Sequence, residues 1–148
     1  MIQYRKLMMT TTSTICEDDL IQAITAFFSK NGYRVRHEVP NMGQSIDLAA
    51  TKNRWITAVE AKLHDWTRGL KQCKAHELVA DYICIAVATQ NISDRLRDQA
   101  LLNGYGIIRW DNRKSVCQWI ERPKRNEKVW LAQRRQFSRN LRGIEYVE

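Results

Sequence analysis

The chain has 148 residues, 44% hydrophobic and 27% charged, with six glycines and two prolines. That is the composition of one soluble globular domain, long enough to close a hydrophobic core. A formal net charge of +8 favours anionic partners, and no stretch approaches the roughly 20 apolar residues of a membrane helix.

The start, MIQYRKLMMTTTST, has no compact apolar core followed by a small-residue cleavage site, so a signal peptide is not expected and a cytoplasmic, DNA-associated location is. Its IQYRKLM run is either loose or an edge strand. TTSTICEDDLIQAITAFFSKNG reads as a helix: Thr14 and Glu17 match an S/T-x-x-E capping box, and Asn31-Gly32 supplies the stop. Leu20, Ile21, Ile24, Phe27 and Phe28 form its apolar stripe. YRVRHEV alternates as a strand ended by Pro40, with NMG as a turn. QSIDLAAT and RWITAVEAKL, joined by the polar Lys52-Asn53, form a hairpin. A second helix is expected over Trp66–Ala80. YICIAVA is the uninterrupted apolar run of a strand buried on both faces in a parallel arrangement. SDRLRDQALLNG is a third helix capped by Ser93 and ended by Asn103-Gly104, and YGIIRW and SVCQWI are two last strands. From Val129 to Leu141, Trp130, Arg134, Phe137 and Leu141 recur at helical spacing. The order is α-β-β-β-α-β-α-β with a further strand and a basic helix, an α/β domain around a central mixed β-sheet.

Charge is unevenly placed. Residues 1–121 carry 16 basic and 13 acidic groups, whereas 122–142 carry eight basic groups against Glu127 alone. Residues 122–148 are therefore read as a basic extension packed on or flanking the 1–121 domain. Arg122, Lys124, Arg125, Lys128, Arg134, Arg135 and Arg139 are its candidate nucleic-acid contacts, and Trp130 and Phe137 are expected to pack. A solvated, solubilising tail is the alternative. Cys16, Cys73, Cys84 and Cys117 form no CxxC pair, which favours free buried thiols over zinc.

SIDLAATKNRWITAVEAKL places ionisable groups inside two apolar strands. Side chains alternate along a strand, so Glu60 and Lys62 share a face with Ile56 and Ala58, and Asp47 on the neighbouring strand can reach the same spot. Carboxylates crowded in a partly buried place raise each other's pKa unless compensated, and the usual compensation is a hard divalent cation, Mg²⁺ or Mn²⁺. An exposed hairpin face with a weak ion pair is the alternative. At about 100° per residue Glu17 falls about 20° from the centre of the helix stripe, a costly place unless it meets a partner; it also suits a capping box. His64, just after the strand end, is either close to such a cation or, as the default, a polar loop residue, and His37 is expected to be a surface or satisfied core residue.

The acidic helix start, Asp47 on a strand, and Glu60-Ala61-Lys62 with twelve residues between Asp47 and Glu60 resemble the PD-(D/E)XK nuclease superfamily. The likeness covers roughly residues 14–110, with Ile46 where the motif name has Pro. The resemblance implies a restriction-endonuclease-like core and metal-dependent hydrolysis of phosphodiester bonds in DNA, selective for structure or ends. It makes Asp47 and Glu60 metal ligands, with the carbonyl of Ala61 completing the shell, Lys62 the residue that activates water, and Glu17 the carboxylate for a second metal. Some members carry Gln and then Tyr four residues later on the helix after ExK; Gln72 matches and His76 stands where Tyr would. A non-catalytic DNA-binding module on the same fold, or a ribonuclease using the same site, are the competing readings. A homodimer with one site per strand is reasonable but is not written in the sequence.

Overall fold

The computed structural model describes residues 15–147. Ten elements follow in chain order: helix α1 (Glu17–Lys30), strands β1 (Arg34–Asn41), β2 (Gln44–Lys52) and β3 (Trp55–Lys62), helix α2 (Trp66–Ala75), β4 (Tyr82–Val87), α3 (Asp94–Asn103), β5 (Gly106–Asp111), β6 (Val116–Glu121) and α4 (Leu131–Arg142). The strands form one mixed sheet in sequence order. β1–β2 and β2–β3 pair antiparallel, β3–β4 and β4–β5 parallel, and β5–β6 antiparallel. This is the α/β, restriction-endonuclease-like core expected from the sequence.

The two sheet faces bury different sequence stripes. Leu20, Ile24 and Phe28 of α1 cover one face over Leu48, Ala50, Val59 and Ala61. On the other face Cys73 of α2, Leu96 and Ala100 of α3, and Phe137 and Leu141 of α4 pack over Ile56, Ala58, Ile83 and Ile85. The alternation of β3 thus sends Glu60 inward on the α2 face, where it is fully buried.

Several local expectations need correction. Thr14 of the expected capping box lies outside the described residues, as does the IQYRKLM strand. Cys16 is the N-cap, its N–H donates to Asp19 Oδ2 at 3.0 Å, and Glu17 is the first helical residue, free of capping duty. Pro40 lies inside β1 rather than ending it; β1 is an edge strand, where a missing N–H forfeits nothing. The β2–β3 turn is Asn53-Arg54, one residue later than expected, with φ of 51° and 74°, the left-handed pair that matches strand twist. α2 ends at Ala75, not Ala80, because the chain turns at His76 to drop His76, Glu77, Val79 and Ala80 into the core. Cys16 is exposed, while Cys73 and Cys84 are buried and Cys117 is half-buried.

The basic segment is sewn to the domain by backbone bonds. Lys124 N–H donates to Gly104 O, Asn126 N–H to Asp81 O and Trp130 N–H to Leu78 O. Phe137 and Leu141 are buried as expected, but Trp130 is 57% exposed at the head of α4, because the core-facing row of that helix begins at Arg134. Arg134 is held by Asp81 through Nε at 3.0 Å and Nη2 at 2.8 Å. No helix among the described residues is long and apolar enough to cross a membrane.

Candidate active site

The site forms where β2 parts from β3. Their ladder runs from Lys52↔Trp55 to Leu48↔Val59 and stops. Opposite Asp47, the β1–β2 ladder skips Glu38, whose φ is 49°, and resumes in the same register at Val39↔Ile46. Strict alternation also fails here, since Ile46 and Ala49 pack in the same core. The side chain of Asp47 takes over where the ladder ends: its Oδ2 accepts the Ala61 N–H at 2.9 Å. Asp47 therefore clamps the backbone between Glu60 and Lys62.

Glu60 Oε1 lies 2.6 Å from Nε2 of His76, and neither side chain is exposed to solvent. Asn41 Nδ2 reaches His76 Nδ1 at 3.1 Å. With that amide orientation the ring proton sits on Nε2 and donates to Glu60. Glu60 Oε2 is buried and makes no hydrogen bond of good geometry, although the Asp47 carboxyl and backbone N–H both stand near enough to the Glu60 carboxyl to act on its titration. Burial, with the Asp47 carboxylate beside it, pushes the Glu60 pKa up to about 9 despite the opposing pull of Lys62. Burial pushes His76 down to about 4, with Asp47 opposing. At neutral pH His76 is thus uncharged and Glu60 holds a proton on Oε2, the position a cation would claim.

Lys62 follows on the same face, its side chain 12% exposed, with Nζ 3.9 Å from Glu17 Oε1. Glu17 comes to the site as expected, but it meets the ammonium, and its side chain is 45% exposed. Lys62 is pinned by the close approach of α2: a Cβ on Gly69 would stand 2.9 Å from Lys62 Cγ. Gln72, on the helix over the site, has a buried Oε1 without a partner. His64 is exposed in the loop after β3. His37 is satisfied by Thr25 Oγ1 at 2.7 Å.

The fold thus brings together Asp47, Glu60, Ala61, Lys62 and Glu17. The sequence reading missed His76 as a working residue, although the Gln72–His76 spacing was its signal; Asn41, a turn residue, had none. Among the described residues no group of three or more His, Cys, Asp and Glu side chains is assembled as a metal cluster. Asp47 and Glu60 would offer two hard carboxylates and Ala61 a backbone carbonyl, oxygen donors whose chemistry would suit a Mg²⁺-like ion at the unpartnered Glu60 Oε2.

The basic residues lie apart from this centre. Arg134 is committed to Asp81. Lys128 pairs with Glu77 at 3.3 Å, and Arg122 and Arg125 lie over Trp119 and Trp55 at 5.4 and 4.7 Å. Lys124, Arg135 and Arg139 are exposed.

No protein-family model matches the chain, and no curated relative is matched. Solved structures are similar in fold. A protein of unknown function from Silicibacter pomeroyi aligns with a TM-score of 0.67 at 14% identity, covering 88% of this chain and 86% of that one. An FdxN element excision controlling factor protein from Anabaena variabilis aligns at 0.53 and 20% identity, over 70% of this chain and 99% of that one. A XisH family protein from Nostoc punctiforme aligns at 0.51 and 17%, over 69% and 98%. At these identities the likeness is one of fold.

Proposed function

We propose that the protein is a metal-dependent nuclease that hydrolyses phosphodiester bonds in DNA, selecting structure or ends rather than a long sequence. The observation that carries this reading is the orphaned, buried Glu60 Oε2 beside Asp47, with Lys62 two residues on. Glu60 Oε2, the free Oδ1 of Asp47 and the Ala61 carbonyl would hold Mg²⁺ or Mn²⁺, and Glu17 is the reserve carboxylate for a second ion. When bound, the ion lowers the pKa of water and neutralises phosphate charge. His76 holds Glu60 by Oε1, as supporting partners of carboxylate ligands do. Lys62 orients the attacking water and stabilises negative charge as the new P–O bond forms and the bond to the leaving oxygen breaks. Gln72 lies on the helix over the centre and contributes a polar contact.

A non-catalytic DNA-binding module of the same fold is the second reading, and the engagement of Lys62 with Glu17 and of Glu60 with His76 in the metal-free protein is compatible with it. Cleavage of supercoiled, linear, single-stranded and branched DNA with Mg²⁺ or Mn²⁺ separates the two, with Glu60→Gln and Lys62→Ala beside the wild type and RNA as competitor. Metal-dependent cutting lost in both variants supports the nuclease. Intact DNA under all conditions, with the protein folded, sinks it.

A further inference from the structure

A groove of about 890 Å³ opens between the far end of β1–β2, the Asn53-Arg54 turn and α4. Eight of its lining residues are Arg or Lys and none is acidic. Three are hydrogen-bonded internally: Arg36 Nε donates to Ile144 O at 2.6 Å, Lys52 Nζ donates to Asn31 O at 2.7 Å, and Arg134 holds Asp81. Arg34 lies over the Tyr146 ring at 4.9 Å. Apart from Arg134, none of the groove's cations, Arg54, Arg135, Arg139 and Arg142 among them, forms an ion pair among the described residues. Bringing so many like charges together costs energy in the free protein unless an anion neutralises them.

Two further features say which anion. Arg135, Arg139 and Arg142 stand at i, i+4 and i+7, a row about 10 Å long on one side of α4. A row of guanidinium forks suits successive phosphates rather than one. Next to it, across the Asn53-Arg54 turn, a second hollow of about 630 Å³ is lined by Trp55, Arg125 and Leu131, with Glu127 and the Arg134-paired Asp81 also on its wall. Trp55 is 38% exposed with the Arg125 guanidinium over its ring, an aromatic platform adjoining a cationic track. Arg54 itself carries a left-handed φ of 74° at a turn position that glycine would fill without strain. A side chain kept there against local preference points to use of the side chain.

We infer that this groove binds the phosphodiester backbone of a nucleic acid, at a surface separate from the carboxylate centre. Lys52 lies five residues beyond Asp47 on β2, about 16 Å along the strand. At about 3.4 Å per nucleotide the groove engages the strand about five nucleotides from the site. That spacing rests on the nuclease reading; the binding surface does not.

The test is fluorescence anisotropy of a labelled 20-nucleotide single strand and its duplex with the full chain, in EDTA, from 50 to 200 mM salt. Arg54→Gly should weaken binding about threefold while its melting temperature holds or rises, a combination that a merely structural Arg54 would not give. Arg54→Gly/Arg139→Ala/Arg142→Ala should weaken it at least tenfold and flatten the log–log salt slope by about two to three. Lys114→Ala, in the β5–β6 turn, should leave both unchanged. A folded triple variant with wild-type affinity and slope overturns the inference, as does a wild type that binds neither nucleic acid. Displacement by tripolyphosphate as effective as by an oligonucleotide of equal charge, with affinity independent of oligonucleotide length, overturns it in favour of a small-anion site. Groove-dependent binding without metal-dependent cutting supports the groove while sinking the nuclease.

Discussion

His76 Nε2 stands 2.6 Å from Glu60 Oε1 in a place that water does not reach. The contact joins the turn after α2 to the last residues of β3, so one imidazole fixes both the direction of the carboxylate and the end of the helix. Removing it would leave Glu60 with two unpartnered oxygens and a cavity. His76→Ala should cost about 2–4 kcal/mol in urea denaturation. It should also weaken Mn²⁺ binding about 10- to 100-fold by calorimetry. A loss below about 1 kcal/mol with unchanged Mn²⁺ affinity would remove His76 from the site.

The raised Glu60 pKa sets a pH dependence of stability. Between its ordinary value near 4.5 and about 9, the folded state keeps a proton that the unfolded state has released. Glu60 therefore contributes stability in acid that is lost as pH rises through that window, at up to about 1.4 kcal/mol per unit. His76, depressed to about 4, acts the other way between pH 4 and 6.5, where the unfolded state binds the extra proton. The metal-free melting temperature should thus fall from pH 6.5 to 9, with a slope that Glu60→Gln flattens. Equal slopes for the two proteins would show that Glu60 is not the group responsible.

Divalent cation should reverse that decline. Because the ion takes the place of the Glu60 proton, its stabilising effect grows as pH rises toward 9. Thermal shifts with 5 mM Mn²⁺ should be larger at pH 8.5 than at 6.5 and vanish in Glu60→Gln. A shift that is independent of pH would place the ion elsewhere.

Arg134 is a structural residue. Asp81 accepts from its guanidinium and also takes the Ile56 N–H at 2.8 Å. Arg134→Ala should cost about 3 kcal/mol by leaving the buried Asp81 carboxylate unpaired. Arg134→Ala and Asp81→Ala should be strongly non-additive in a double-mutant cycle. Additive losses would mean the pair is not coupled.

Gly69 tests how α2 sets the position of Lys62. A Cβ there would come within 2.7 Å of Ile85 Cδ1 and 2.9 Å of Lys62 Cγ. Gly69→Ala gains helix propensity and loses packing, so the net cost should stay under about 2 kcal/mol. Displacement of Lys62 should nonetheless lower cleavage at least tenfold. Undiminished cleavage would mean that Lys62 tolerates the shift.

Much of the fold was legible because its signals are local. The stripe of α1, the Ser93 and Gly104 caps of α3 and the apolar run of β4 each lie within a few residues of what they specify. The juxtaposition of Glu60 and Lys62 followed from strand alternation alone. The end of α2 was not legible, because Trp66–Ala80 continues to suit a helix and only burial of His76 beside Glu60 decides where the chain turns. Arg134 looked like one cation of a basic run, and its partner Asp81 is 53 residues away.

Sequence by itself determined the order of elements, the two faces of β3 and the presence of two carboxylates and an ammonium in its neighbourhood, since these depend on periodicities of two and 3.6 residues. Only the tertiary structure decided which Glu60 oxygen is left unpartnered, that Asp47 clamps Ala61, and that Arg34, Lys52 and Arg54 join the cations of α4 in one groove. Those outcomes turn on which distant segments exclude water together, and burial of that kind has no period in the chain.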